Sequence, residues 1–124
     1  MKLSTLFMIN AVVATLFGLG FVIAPEQVLS LYGVSLPVEG IYIARLLGSA
    51  FLAFGIITWM MRGVSTASSE VRAVLLGFLV SDLLGFAFSL YYQLQPVANN
   101  FGWSTVLIYL LLAIGFGYFY FKKG

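Results

Sequence analysis

Four long apolar runs in this sequence each hold one substantial polar side chain: Asn10, Arg45, Asp82 and Tyr109. An ionisable group deep in an apolar segment costs at least about 2.5–3.5 kcal/mol, so it normally has a partner or a task. Asp82 is the one carboxylate within the four runs and Arg45 the one cation. At a helical rise of about 1.5 Å per residue, Asn10 lies roughly 10 Å, Asp82 16 Å, Tyr109 18 Å and Arg45 24 Å from the same end. That is a broken polar track, with Asp82 near its middle. A carboxylate so placed can couple to a proton or a cation, tuned by the Arg45 charge and the Tyr109 hydroxyl. The same four groups can instead act as polar contacts that fix helix register. Arg45 stands roughly 8 Å from Asp82 along the axis, within reach of an extended side chain. Both side chains lean toward their own helix N-termini, however, and in antiparallel neighbours those directions diverge. Tyr109, level with Asp82, is the other available donor.

Catalytic constellations are missing. The chain has no Cys and no His, which removes the usual ligands of zinc and the usual thiol chemistry. No second carboxylate accompanies Asp82 in its run: Glu26 and Glu70 fall in loops and Glu39 at a run's edge. Gly18-Leu19-Gly20 and Gly115-Phe116-Gly117 sit inside apolar segments, where they read as packing and not as phosphate cradles. The sequence therefore predicts no enzyme, no cofactor and no metal site. Six cations against four anions make too small an excess for a nucleic-acid footprint.

The elements that must position these residues follow from composition. Of 124 residues, 62% are hydrophobic and 8% charged, against about 25% charged in ordinary soluble domains. With a mean hydropathy of +1.09, so short a chain cannot bury its apolar surface within itself. Lipid must be the solvent. Runs 3–23, 41–61, 73–92 and 101–121 each have about the 20 residues a helix needs to cross a bilayer. Stretches such as Val74-Leu75-Leu76-Gly77-Phe78-Leu79-Val80 lack the alternation of a membrane strand. The expectation is one all-α, polytopic domain over 1–124: four transmembrane helices in an antiparallel bundle. The first run exceeds a signal-peptide core of about 7–15 residues, so it is expected as a retained helix.

Charge orients the spans. Lys2, Arg62, Arg72, Lys122 and Lys123 flank one set of ends, while 24–40 and 93–100 hold neither Lys nor Arg. Cytoplasmic loops collect these cations, so both termini and the middle loop are expected inside an inner (cytoplasmic) membrane. Pro25-Glu26-Gln27 has the form of a helix start, and with Val28, Leu29, Leu31 and Tyr32 it predicts a short interfacial helix on the outer side, ended at Gly33. Residues 63–69 form a small polar loop, and 93–100 a tight turn around Pro96 and Asn99-Asn100. Trp59, Trp103, Tyr91, Tyr92, Tyr118 and Tyr120 fall near span ends, as aromatic belts do.

Small residues at helical spacing predict where helices touch. The third span carries Gly77, Ser81, Gly85 and Ser89 as a ladder of four; the second carries Ala44-Gly48 and Ser49-Ala53, the first Ala14-Gly18 and the fourth Ala113-Gly117. The ladder is read as an interior seam, with homodimerisation as the alternative.

Gly18-x-Gly20, Ala24-Pro25-Glu26, Leu31-Tyr32-Gly33, and Ala44-Arg45-Leu46-x-Gly48 followed by Phe54-Gly55 and Trp59 resemble small DoxX-like bacterial membrane proteins over the first half of the chain. The resemblance implies a four-helix protein of the bacterial cytoplasmic membrane, acting with partner subunits where redox work is involved. Three functions then stay open. The first is a binding or accessory protein contacting lipid, a quinone-like molecule or a partner membrane complex. The others are a small proton-coupled transporter using Asp82, and a structural or immunity-type membrane protein. Expected partners are the bilayer and a membrane protein or second copy.

Overall fold

The computed structural model describes residues 1–65, 67–95 and 97–122. Thr66, Pro96 and Lys123, assigned above to the polar loop, the tight turn and the terminal cation pair, lie outside the described residues. The helices are α1 (Leu3–Ile23), α2 (Pro25–Ser30), α3 (Val38–Met60), α4 (Ser69–Leu94) and α5 (Trp103–Phe121), with a 3₁₀ turn over Asn100–Gly102 before α5. The fold is all-α. Helices α1, α3 and α4, and α5 with its 3₁₀ turn, are each long and apolar enough to cross a membrane. Only a helix satisfies the backbone of such a run within itself.

Local chemistry sets the ends. Pro25 opens α2 with Glu26 in its first turn. The helix closes where the Val34 and Gly33 amides donate to the Leu29 and Ser30 carbonyls. This Schellman pattern demands the left-handed backbone that Gly33 adopts at φ 71°. Helix α3 starts three residues before the hydropathic run, directly after extended Pro37. Helix α4 starts at Ser69 because the Ser68 hydroxyl accepts the Val71 amide, a side-chain N-cap. Hydropathy tracks the hydrocarbon, whereas these caps lie beyond it.

The chain divides into two compact units: Phe7–Arg62, and Met1–Leu6 together with Gly63–Gly124. In Phe7–Arg62, α1 and α3 approach to backbone contact. A Cβ on Gly48 would stand 2.8 Å from the Phe21 Cβ and 2.9 Å from the Gly18 carbonyl oxygen, and one on Gly18 3.0 Å from the Gly48 carbonyl oxygen. Toward the other end of this seam, a Cβ on Gly55 would overlap the Thr15 hydroxyl. Small residues permit this approach, and dispersion between the two backbones replaces the hydrophobic drive that lipid removes.

In the second unit α4 packs on α5. Helix α4 buries Val71, Leu75, Leu79 and Asp82; α5 buries Val106, Leu112, Ala113, Phe116 and Phe119. The Phe78 and Phe116 rings stack, with centroids 5.1 Å apart. Leu6 closes against Gly115. Outside these seams the helices expose large apolar side chains, among them Leu16, Ile43, Met60, Leu84, Phe88 and Ile114. A soluble monomer rarely exposes such contiguous surface.

The ladder on α4 is corrected. Gly77 and Ser81 are exposed, and a Cβ at Gly77 would meet nothing within 4 Å. Gly85 does serve as a seam residue, since a Cβ there would overlap the Tyr109 ring of α5. Ser89 is half-buried and spends its hydroxyl on the Phe86 carbonyl. The reason is geometric. A strict four-residue step drifts about 40° each time around a helix of 3.6 residues per turn, so 77 and 89 stand about 120° apart. The buried line Val71–Leu75–Leu79–Asp82 steps 4, 4, 3 and drifts only about 20°.

Candidate functional site

Each polar residue singled out in the sequence acquires a defined setting. Asn10 is buried at 5% exposure, and its amide donates to the Thr58 hydroxyl at 3.4 Å. Thr58, fully buried, donates onward to the Phe54 carbonyl at 2.7 Å. The pair therefore ties α1 to α3 beside the Gly55 contact. Sequence reading missed Thr58, although a signal existed: Ala44, Gly48, Gly55 and Thr58 recur at steps of 4, 7 and 3, the interval of one helix face.

Arg45 is a correction. It is exposed, not interior, and its Nη1 donates to the Val22 carbonyl oxygen. Successive helix residues stand about 100° apart, so with Ala44 and Gly48 in the seam, Arg45 must turn out of it. Its side chain leans back along α3, toward the last turn of α1.

Arg62 and Arg72 do the same work. Arg62 donates to the Trp59 carbonyl at 2.6 Å, in the last turn of α3. Arg72 donates to the Tyr120 carbonyl at 2.9 Å, in the last turn of α5. The final carbonyls of a helix lack intrahelical donors and carry the negative end of its dipole. Three spans thus end on a guanidinium. Arg62 also lies 4.2 Å from the Trp59 ring centroid, Arg72 4.7 Å from that of Tyr120, and the Lys122 ammonium 5.6 Å from that of Tyr118. Aromatic residues at the span ends therefore hold cations as well as marking the boundary.

Asp82 is buried at 5% exposure, and its Oδ2 makes no hydrogen bond. Tyr109 is half-buried and lies over Gly85, one turn along α4 from Asp82. Asn10 and Arg45 belong to Phe7–Arg62; Asp82 and Tyr109 belong to the other unit.

A groove of about 610 Å³ runs along the α1–α3 pair. Val12, Thr15 and Leu16 form one wall, and Ile56, Trp59 and Met60 the other. Its floor is Ala11 and Gly55, where the missing side chain lets α1 close in. Composition gave no hint of it, because it arises from two small residues meeting across a crossing. The lining is almost wholly apolar, so the groove can hold a hydrocarbon chain but not a polar solute, whose groups would go unpaired.

No protein-family model matches the chain, and comparison with curated proteins and with solved structures found no match.

Proposed function

We propose that this chain is a non-catalytic binding or accessory protein of a bacterial cytoplasmic membrane, DoxX-like in character. It presents a lateral apolar surface to a lipid-like molecule or to a partner membrane complex. The observation that carries this reading is the groove on α1 and α3: about 610 Å³, within the roughly 300–1,000 Å³ of small-molecule sites. Its walls include Leu16 at 66% and Met60 at 73% exposure, so a molecule can enter from the bilayer without a gate. The distribution of Lys and Arg supports both termini and the middle loop on the cytoplasmic side.

The test is extraction of a tagged chain from its native membrane in polymer nanodiscs, with identification of everything retained. The reading expects one lipid-like molecule or membrane protein enriched over bulk. A chain surrounded only by bulk lipid contradicts it.

The unpartnered Oδ2 of Asp82 favours proton-coupled transport as the second reading, because a buried carboxylate without a hydrogen bond calls for a reason. Proton uptake into reconstituted vesicles, abolished by Asp82→Asn, would establish it. Absence of uptake leaves the binding reading in place.

A further inference from the structure

We propose that the groove between α1 and α3 binds an anionic phospholipid, with an acyl chain along Val12, Leu16 and Ile56 and the phosphate on Arg62. The proposal rests on the binding reading above and names its ligand. Trp59 joins the two halves of the site. Trp59 is one of the residues that line the groove, and the Arg62 guanidinium stands 4.2 Å from the centroid of its ring. The chain thus places a cation against one wall residue of an open apolar groove, an arrangement complementary to a charged head with a hydrocarbon tail.

The head must be anionic, and phosphate suits it. A guanidinium carries five N–H donors in a planar fork. Nη1 donates to the Trp59 carbonyl, which together with the ring fixes the plane of the fork. A fork held in one plane pairs with phosphate oxygens at little further cost in side-chain freedom. A quinone ring would leave the cation unmatched. An apolar partner helix laid along the groove would cover the guanidinium without balancing its charge, which is costly. An anionic amphiphile both fills the apolar groove and balances the charge of Arg62.

The experiment uses the full chain with Trp103→Phe, which leaves Trp59 as the single tryptophan of the original two. It is reconstituted in vesicles of phosphatidylcholine and phosphatidylglycerol, with bromine on the acyl chains of one lipid at a time. Quenching of Trp59 then reports which lipid occupies the groove. Phosphatidylglycerol is expected to be preferred about fivefold over its bulk fraction, the attraction one cation supplies near a membrane surface. Arg62→Lys, which keeps the charge but loses the planar fork, should weaken that preference, and Arg62→Gln should abolish it. Raising the salt on the unaltered site should weaken it, so the test does not depend on any Arg62 variant folding. Quenching in proportion to bulk composition overturns the proposal, as does a preference that survives Arg62→Gln. Displacement of both lipids by a long-chain quinone would assign the groove to a neutral head and overturn it too. An unselective groove beside an enriched partner in the native extraction defeats this site alone; loss of both defeats the binding reading.

Discussion

Alanine placed at Gly48 and at Gly77 should move stability in opposite directions. At Gly48 the new methyl meets the Phe21 Cβ at 2.8 Å, against the 3.4 Å at which ordinary contact begins, a shortfall of 0.6 Å. Its second obstacle is the Gly18 carbonyl oxygen at 2.9 Å. Neither can rotate away, since one is backbone and the other is attached directly to it. The helices must separate, and a gap of about 0.5–1 Å forfeits a quarter to a half of the dispersion along the contact. Overpacking of this kind costs about 1–3 kcal/mol, and an obstacle that cannot move puts it near 3. Replacing glycine by alanine within a helix returns about 1 kcal/mol, for a net loss of about 2. At Gly77 nothing lies within 4 Å, so only the gain of up to about 1 kcal/mol remains. The two variants should differ by about 3 kcal/mol in reversible unfolding, followed by circular dichroism as the dodecyl sulfate fraction of mixed micelles rises. Equal losses would refute the assignment of Gly48 to the seam and Gly77 to the open face; so would a larger loss at Gly77.

Three other outcomes are expected, two from packing and one from charge. Gly85→Leu should lower the unfolding midpoint well below that of Leu84→Ala, because Gly85 faces the Tyr109 ring while Leu84 is 55% exposed; similar midpoints would count against the α4–α5 contact. A double-mutant cycle of Asn10→Ala with Thr58→Val should give a coupling of about 0.6 kcal/mol, and no more than about 1.7, as intramembrane hydrogen bonds do; strict additivity would show the 3.4 Å contact to be energetically empty. Cysteines at Ser35 and Asn99 should react with impermeant reagents from outside the cell while one at Ser68 stays protected, and reversed labelling would invert the orientation.

The spans were legible because hydropathy and the geometry of lipid leave one solution. Leu3–Ile23 coincides with its apolar run, and the short helix at Pro25 was written in its proline, its acid and Gly33. What misled was face assignment. Arg45 reads as interior from Ser49 four residues on, yet Ala44 and Gly48 hold the seam, and one residue is about 100° of rotation. The four-residue spacing that joins Gly77 and Ser81 to Gly85 drifts around the helix. Asn10 and Asp82 are buried as expected, since short polar side chains cannot reach out of an apolar run as the long side chain of Arg45 does. The carbonyls that receive Arg45, Arg62 and Arg72 could not be read from residue types, because the acceptor is backbone. Neither could the groove, which depends on where Gly55 meets Thr15.

The central claim is that the α1–α3 groove, and not the lipid-facing surface in general, is where this chain meets its partner molecule. A photo-crosslinking amino acid at Ile56, in the groove, can be compared in native membranes with one at Leu111, 57% exposed on α5. Mass analysis of the adducts should show one species enriched over bulk at Ile56 and the bulk lipid distribution at Leu111. The same distribution at both positions would contradict the account.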